Sequence, residues 1–193
     1  MPRRNRCAAA LLAAMILALL FAHVGMGQDE SGAIEDRLLR LAGRLRLGLS
    51  IASLGVYAPS IGDLHVHAQQ LVNLLEGSEG RHFVRPDEAD EAVTGLRRDV
   101  ADLATRLASD RAEQEVRLRV SSAVKNVNTY FQMALDAALA GLSERRLERA
   151  TNEMLRAYAF LAAAYEMPTE LPLIPGLRTI LRSFDVVDPS LDA

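Results

Sequence analysis

The sequence predicts an all-α protein, an up-and-down bundle of four to five helices that follows an N-terminal signal peptide. Three observations predict it. After residue 27, apolar residues recur at spacings of three and four, and the alternation of a half-buried strand is missing. The connections between the apolar-periodic segments are short, which favours antiparallel neighbours. The first residues carry a basic stretch, then an unbroken apolar run. The organisation expected is a signal peptide over 1–27, a bundle domain over 28–185 and a frayed tail over 186–193.

The signal peptide rests on Arg3, Arg4 and Arg6, followed by CAAALLAAMILALLFA from Cys7 to Ala22. Gly25 and Gly27 then supply small residues before a cut at Gln28. This predicts export to the periplasm or beyond. An anchor retained by an uncleaved helix is the alternative, because about 20 apolar residues span a bilayer. Cys7 lies too early to be a lipobox cysteine, and no later run is long and apolar enough to span. Cleavage would remove the one cysteine of the chain. The remaining domain would then have no disulfide, no thiolate and no CxxCH haem attachment, and its core alone must hold it together.

The first helical segment is expected over about 33–56. Ile34, Leu38, Leu41, Leu45, Gly48, Ala52 and Val56 share a face, and Arg37, Arg40 and Arg44 flank it. Gly48 and Ala52 on that stripe would admit a close neighbour; alternatively Gly43, Gly48 and Gly55 only weaken the helix, by up to ~1 kcal/mol each. Pro59 ends or bends it. The second segment, Ser60 to Glu76, carries Ile61, Leu64, Ala68, Leu71 and Leu75 at bundle spacing, with Gly77 as its stop. Val66 and Leu74 lie off that seam, which predicts a central helix or one at an oligomer contact.

After the loop GSEGRHFVRP, Asp87 is a good N-cap for a third helix reaching about Ala108, and Glu88, Asp90 and Glu91 favour its first turn. The pattern around Ser109–Asp110 is compatible both with a break and with one continuous helix. The fourth segment turns Val116, Val120, Val124, Val127, Phe131, Ala134 and Ala138 inward, with Gly141 as its stop. Ser143 is then the expected cap of a fifth helix bearing Leu147, Ala150, Met154, Tyr158, Leu161 and Tyr165. Pro168, Pro172 and Pro175 make an extended stretch, and Leu177 to Phe184 fold back as a short amphipathic turn.

Composition excludes some classes of function. The net charge is −3, Trp is absent and no basic face is built, so phosphate neutralisation on nucleic acid has no platform. No GxSxG, HExxH or phosphate loop occurs, and Asp87 to Glu91 lack the order of a calcium loop. No enzyme is expected, and no cofactor.

The histidines are the sharpest chemical candidates. His65 and His67 lie about 160° apart around a regular helix and cannot grip one ion together. Asp63 and His67, four residues apart, do share a flank and could give two ligands of a metal site. Zinc would need another ligand from a second helix. His65 with Met133 or Met154 could bind a haem, although methionine on a seam is more often packing. Glu79 and His82 have the ExxH spacing of di-iron bundles, but only once and in a loop. Lys125, Asn126, Asn128, Thr129 and Gln132 either form a solvated face or meet Gln69, Gln70 and Asn73 in an internal network.

The stretch from His67 to Phe83, HAQQLVNLLEGSEGRHF, resembles a segment of uncharacterised exported bacterial helical proteins, in which a His- and Asn-bearing helix ends in Gly and a short loop. The resemblance implies export and a bundle, and no activity. The function expected is that of an exported, non-enzymatic bundle acting through protein contacts, as a homo-oligomer or with a protein partner. A small metal- or haem-binding bundle using His65, or Asp63 with His67, is the alternative.

Overall fold

The computed structural model describes residues 34–85, 94–109, 114–165, 175–184 and 186. The expected signal segment, Asp87 with its acidic residues, Asp110 and residues 187–193 of the expected tail lie outside the described residues. The third helix does not run unbroken from an Asp87 cap, because Thr94 is in a bridge, Gly95 is non-helical and the helix begins at Leu96. The chain divides into two units, Met1–Arg37 and Leu38–Ala193. Of the first, residues 34–37 are described, and they are helical. The second is an all-helical bundle. Among the described residues there are six helices and no strand. They are α1 (34–56), α2 (Ile61–Glu76), α3 (Leu96–Ser109), α4 (Gln114–Ser143), α5 (Leu147–Tyr165) and α6 (Leu177–Ser183).

The longest helix, α4, is the hub. It packs against α2, α3, α5 and α6, most extensively against α5. Its inward stripe is the one its spacing requires: Val120, Val124, Val127, Phe131, Ala134 and Ala138 are all buried. Alanines dominate the second half of that stripe. Small side chains let α5 lie close, and α5 answers with Ala150, Ala157 and Ala164 beside Met154 and Leu161. Burying one Leu or Met fully contributes roughly 1.5–3 kcal/mol, so the stability of this seam sits mainly in Phe131, Met154 and Leu161.

Two expected boundaries on this seam are corrected. Gly141 does not stop α4. It lies inside the helix, buried, where a Cβ would come within 3.6 Å of the Glu153 side chain on α5. Glycine serves there as a surface of close approach. Ser143 does not cap α5 either, because its hydroxyl donates back to the Ala140 carbonyl at 2.8 Å and closes α4. The ladder of α5 opens on the Arg146 carbonyl, which accepts from the N–H groups of Arg149 and Ala150.

From Leu38 onward α1 buries Leu38, Leu41, Ala42, Leu45, Gly48 and Ala52. At Gly48 an added Cβ would lie 3.4 Å from Leu74 of α2 and 3.5 Å from Leu161 of α5. At Gly55 it would come within 2.5 Å of the Met154 side chain. The glycines therefore seat α1 in the groove between α2 and α5. Of the two residues off the α2 seam, Leu74 is buried by this contact and Val66 is exposed. The short α6 buries Leu177, Ile180 and Leu181, and Asn126 of α4 donates to the Pro175 carbonyl at 2.9 Å just before it. Past α6, Val186 is buried, its N–H bonded to the Leu181 carbonyl.

The start of α3 meets the end of α2 backbone to backbone. Gly77 and Thr94 form an antiparallel bridge, and a Cβ on Gly95 would sit 2.2 Å from the Glu76 carbonyl oxygen. Backbone cannot yield as a flexible side-chain end can, so Gly95→Ala should lower stability by roughly 1–3 kcal/mol, the range for overpacking. Gly43→Ala is the matched control. Its Cβ would meet only an arginine tip at 4.0 Å, and it should raise stability by about 0.5–1 kcal/mol, the helical preference of alanine. Urea denaturation midpoints of the two variants should move in opposite directions.

Candidate functional site

The polar chemistry of the described residues gathers on α2 and on the turn after it. Ser60 caps the helix, accepting from the Asp63 N–H at 3.2 Å, while its hydroxyl donates to Asp63 Oδ2 at 2.6 Å. Asp63 accepts from the Ser60 hydroxyl rather than from its N–H, so only the Ser60 half of a capping box is made. The helix ends at Gly77, with φ 74° and ψ −179°, a region essentially reserved for glycine.

One face of α2 is built from Gln69, Asn73 and Glu76, at spacings of four and three. All three hold the returning loop. Asn73 treats Val84 as a neighbouring strand would: its Nδ2 donates to the Val84 carbonyl at 2.7 Å, and its Oδ1 accepts from the Val84 N–H at 3.0 Å. Gln69 Nε2 donates to Asn73 Oδ1 and to the His82 carbonyl, both at 2.9 Å. Glu76 accepts from the His82 N–H at 2.7 Å and from His82 Nδ1 at 2.9 Å. Of the α2 residues that an internal network with α4 would have used, Gln69 and Asn73 bind the loop and Gln70 pairs with His67. On α4, Lys125, Asn128 and Thr129 are exposed and Gln132 donates to Asp136, which makes these the solvated face, while half-buried Asn126 turns to the Pro175 carbonyl.

The histidines separate as helical spacing requires. His65 Nε2 lies 3.0 Å from the Glu144 carbonyl at the α4–α5 corner. His67 lies on the side of Gly55 of α1, and its Nδ1 is 3.1 Å from Gln70 Oε1. Both partners are acceptors, so each of these ring nitrogens carries its proton. Asp63 is engaged by Ser60. Among the described residues, no three His, Cys, Asp or Glu side chains stand together as a metal set. Of the possible haem partners of His65, Met154 is fully buried against α1 and Met133 is exposed on α4. Glu79 and His82 take different partners: Glu79 pairs with Arg98, and His82 with Glu76.

Beside Glu76 lies a cleft of about 390 Å³ between the turn after α2 and the start of α3. Its charged lining is Glu76, Glu79, Arg81, Arg97 and Arg98. Spacing could not announce this group, because two segments far apart in sequence supply it. The available signal was the density of arginine on either side of a glycine turn. Arg44 of α1 braces the same region, bonding Asp99 and the Thr94 carbonyl.

No family model, no curated protein and no solved structure matches this chain.

Glu76 has the perturbed carboxyl of the site. Burial alone would raise its pKa, but the His82 hydrogen bonds and the nearby His82 and Arg97 charges outweigh burial and hold it below the ordinary 4.5. A carboxyl lowered in the folded state stabilises the fold above its unfolded pKa, and that contribution is lost as pH falls through the folded value. Glu76→Gln should therefore cost roughly 1–2 kcal/mol at pH 7, and the gap to the parent protein should close as the pH is taken below 4.5. Denaturant melts from about pH 7 to about pH 3 check this; a gap of constant size would remove the carboxylate from the explanation.

Proposed function

We propose that this chain is an exported, non-catalytic helical bundle that works through protein contacts, and that its partner across α1 is a second copy of itself. The observation behind this is the outward stripe of α1. Leu47 and Leu54 are 51% and 56% exposed, on the side of the helix opposite Leu45, Gly48, Ala52 and Gly55, and Tyr57, in the turn just past the helix, is 83% exposed. Half-buried Ile51 joins them. Large apolar side chains in register along one exposed helix face are costly unless covered, and such patches mark contact sites.

The spacing favours self-association. Leu47 and Leu54 are seven residues apart, the repeat of a coiled-coil seam. A two-fold axis beside Ser50 would set Leu47 of one copy against Leu54 of the other, and a two-fold contact must be self-complementary in this way. The N-terminal pattern supports export. Among the described residues, no helix is long and apolar enough to cross a membrane.

Light scattering over a concentration series should give the mass of a dimer, and Leu54→Glu should weaken it by roughly 30-fold or more, the loss of one interface hot spot. A monomer at millimolar concentration would overturn the self-association. Export has its own check. N-terminal sequencing of protein recovered from outside the cytoplasm should begin at Gln28, whereas a chain still starting near Met1 would indicate a retained anchor.

A further inference from the structure

We infer that the cleft between α2 and α3 binds the oxyanion group of a small molecule, a phosphate or a carboxylate. Three guanidinium groups and two carboxylates line it, an excess of one positive charge. Glu79 is matched by Arg98, and Glu76 already accepts two hydrogen bonds from His82. Among the described residues, neither Arg81 nor Arg97 makes an ion pair. Arg97 Nε is moreover buried without a hydrogen-bond partner. A buried donor on a charged group is rarely left unmade, since it forfeits its water without compensation. Arg97 also lines the cleft, and an anion there would give its guanidinium the charged partner it lacks.

The surroundings suit this ligand. A guanidinium offers paired N–H donors in a plane that match two oxygens of a carboxylate or phosphate. Ser78 and Thr94 flank the same cleft, Thr94 as part of its lining wall and Ser78 in its turn. The first bonds of the α3 ladder run from the Arg98 and Asp99 N–H groups to the Gly95 carbonyl, so the Leu96 and Arg97 N–H groups precede it. The volume lies near the lower end of small-molecule pockets, which fits a ligand of a few carbons with one anionic head. A metal cation finds no place there, since both carboxylates are engaged and arginine stands beside each.

Isothermal titration of the full chain at low ionic strength and neutral pH tests the assignment. The probes are inorganic phosphate, glycerol 3-phosphate and succinate. Saturable binding of at least one is expected; the ranking of the three separates a phosphate site from a carboxylate site and a free ion from an esterified one. Arg97→Met should weaken the best probe by roughly tenfold or more. Arg156→Gln, at an exposed α5 position paired with Glu153 and outside the cleft lining, should leave it unchanged. Should Arg97→Met fail to fold, amide shifts of the parent protein decide: the Leu96, Arg97 and Arg98 signals should move together on titration. No saturable binding of any probe at ten millimolar, equal affinity in a folded Arg97→Met, or unmoved signals would each overturn the site.

Discussion

The meeting of two backbones at Glu76–Gly77 and Thr94–Gly95 constrains more of this molecule than any single side chain does. The Gly77–Thr94 bridge and the absence of a Cβ at Gly95 bring the start of α3 onto the end of α2. That contact sets the line of α3 against α4 and the position of Asp99 and the Thr94 carbonyl for Arg44. It also sets Arg97 and Arg98 beside the turn after α2. The cleft is what remains between two chain segments whose ends are fixed and whose side chains are long. A wider approach would leave α3 without its anchor, and the hydrophobic stripe of Leu96, Val100 and Leu103 would have to find its own position on the bundle.

The bundle itself was legible because its information is periodic. The stripes of α2 and α4 repeat every three or four residues, and a buried stripe leaves the same mark in sequence as in space. The stop of α2 was legible for a related reason. Gly77 is local chemistry, decided within one turn of helix, and so is the Ser60 cap that the structure adds at the other end. Gly141 shows where locality misleads. A glycine near the end of an apolar stripe has the same one-letter signature whether it terminates a helix or admits a neighbour, and only the nearness of Glu153 and Met154 across the α4–α5 seam distinguishes the two. Gly55 poses the same ambiguity, resolved by Met154.

The candidate site was less legible, because its pairings cross turns. His82 lies three residues from Glu79 and six from Glu76, and helical spacing favours the nearer carboxylate. The loop is not helical, so the imidazole meets Glu76 instead. Gln69 and Asn73 were visible as polar residues on a central helix. Their partners are main-chain groups of the loop, which carry no sequence signature. The separation of His65 from His67 did follow from the helix alone, since it needs only the rotation per residue.

The grip of Asn73 on Val84 has a consequence for how this chain can change over time. The bonds from Gln69 and Asn73 end on the carbonyls of His82 and Val84 and on the Val84 amide, atoms that every residue type except proline supplies in full. The path of the loop is thus encoded in the helix it lies on. No loop side chain takes part in these particular bonds, so a substitution at Phe83 leaves them in place. A descendant of this chain could therefore diverge at that position while its backbone there stayed the same.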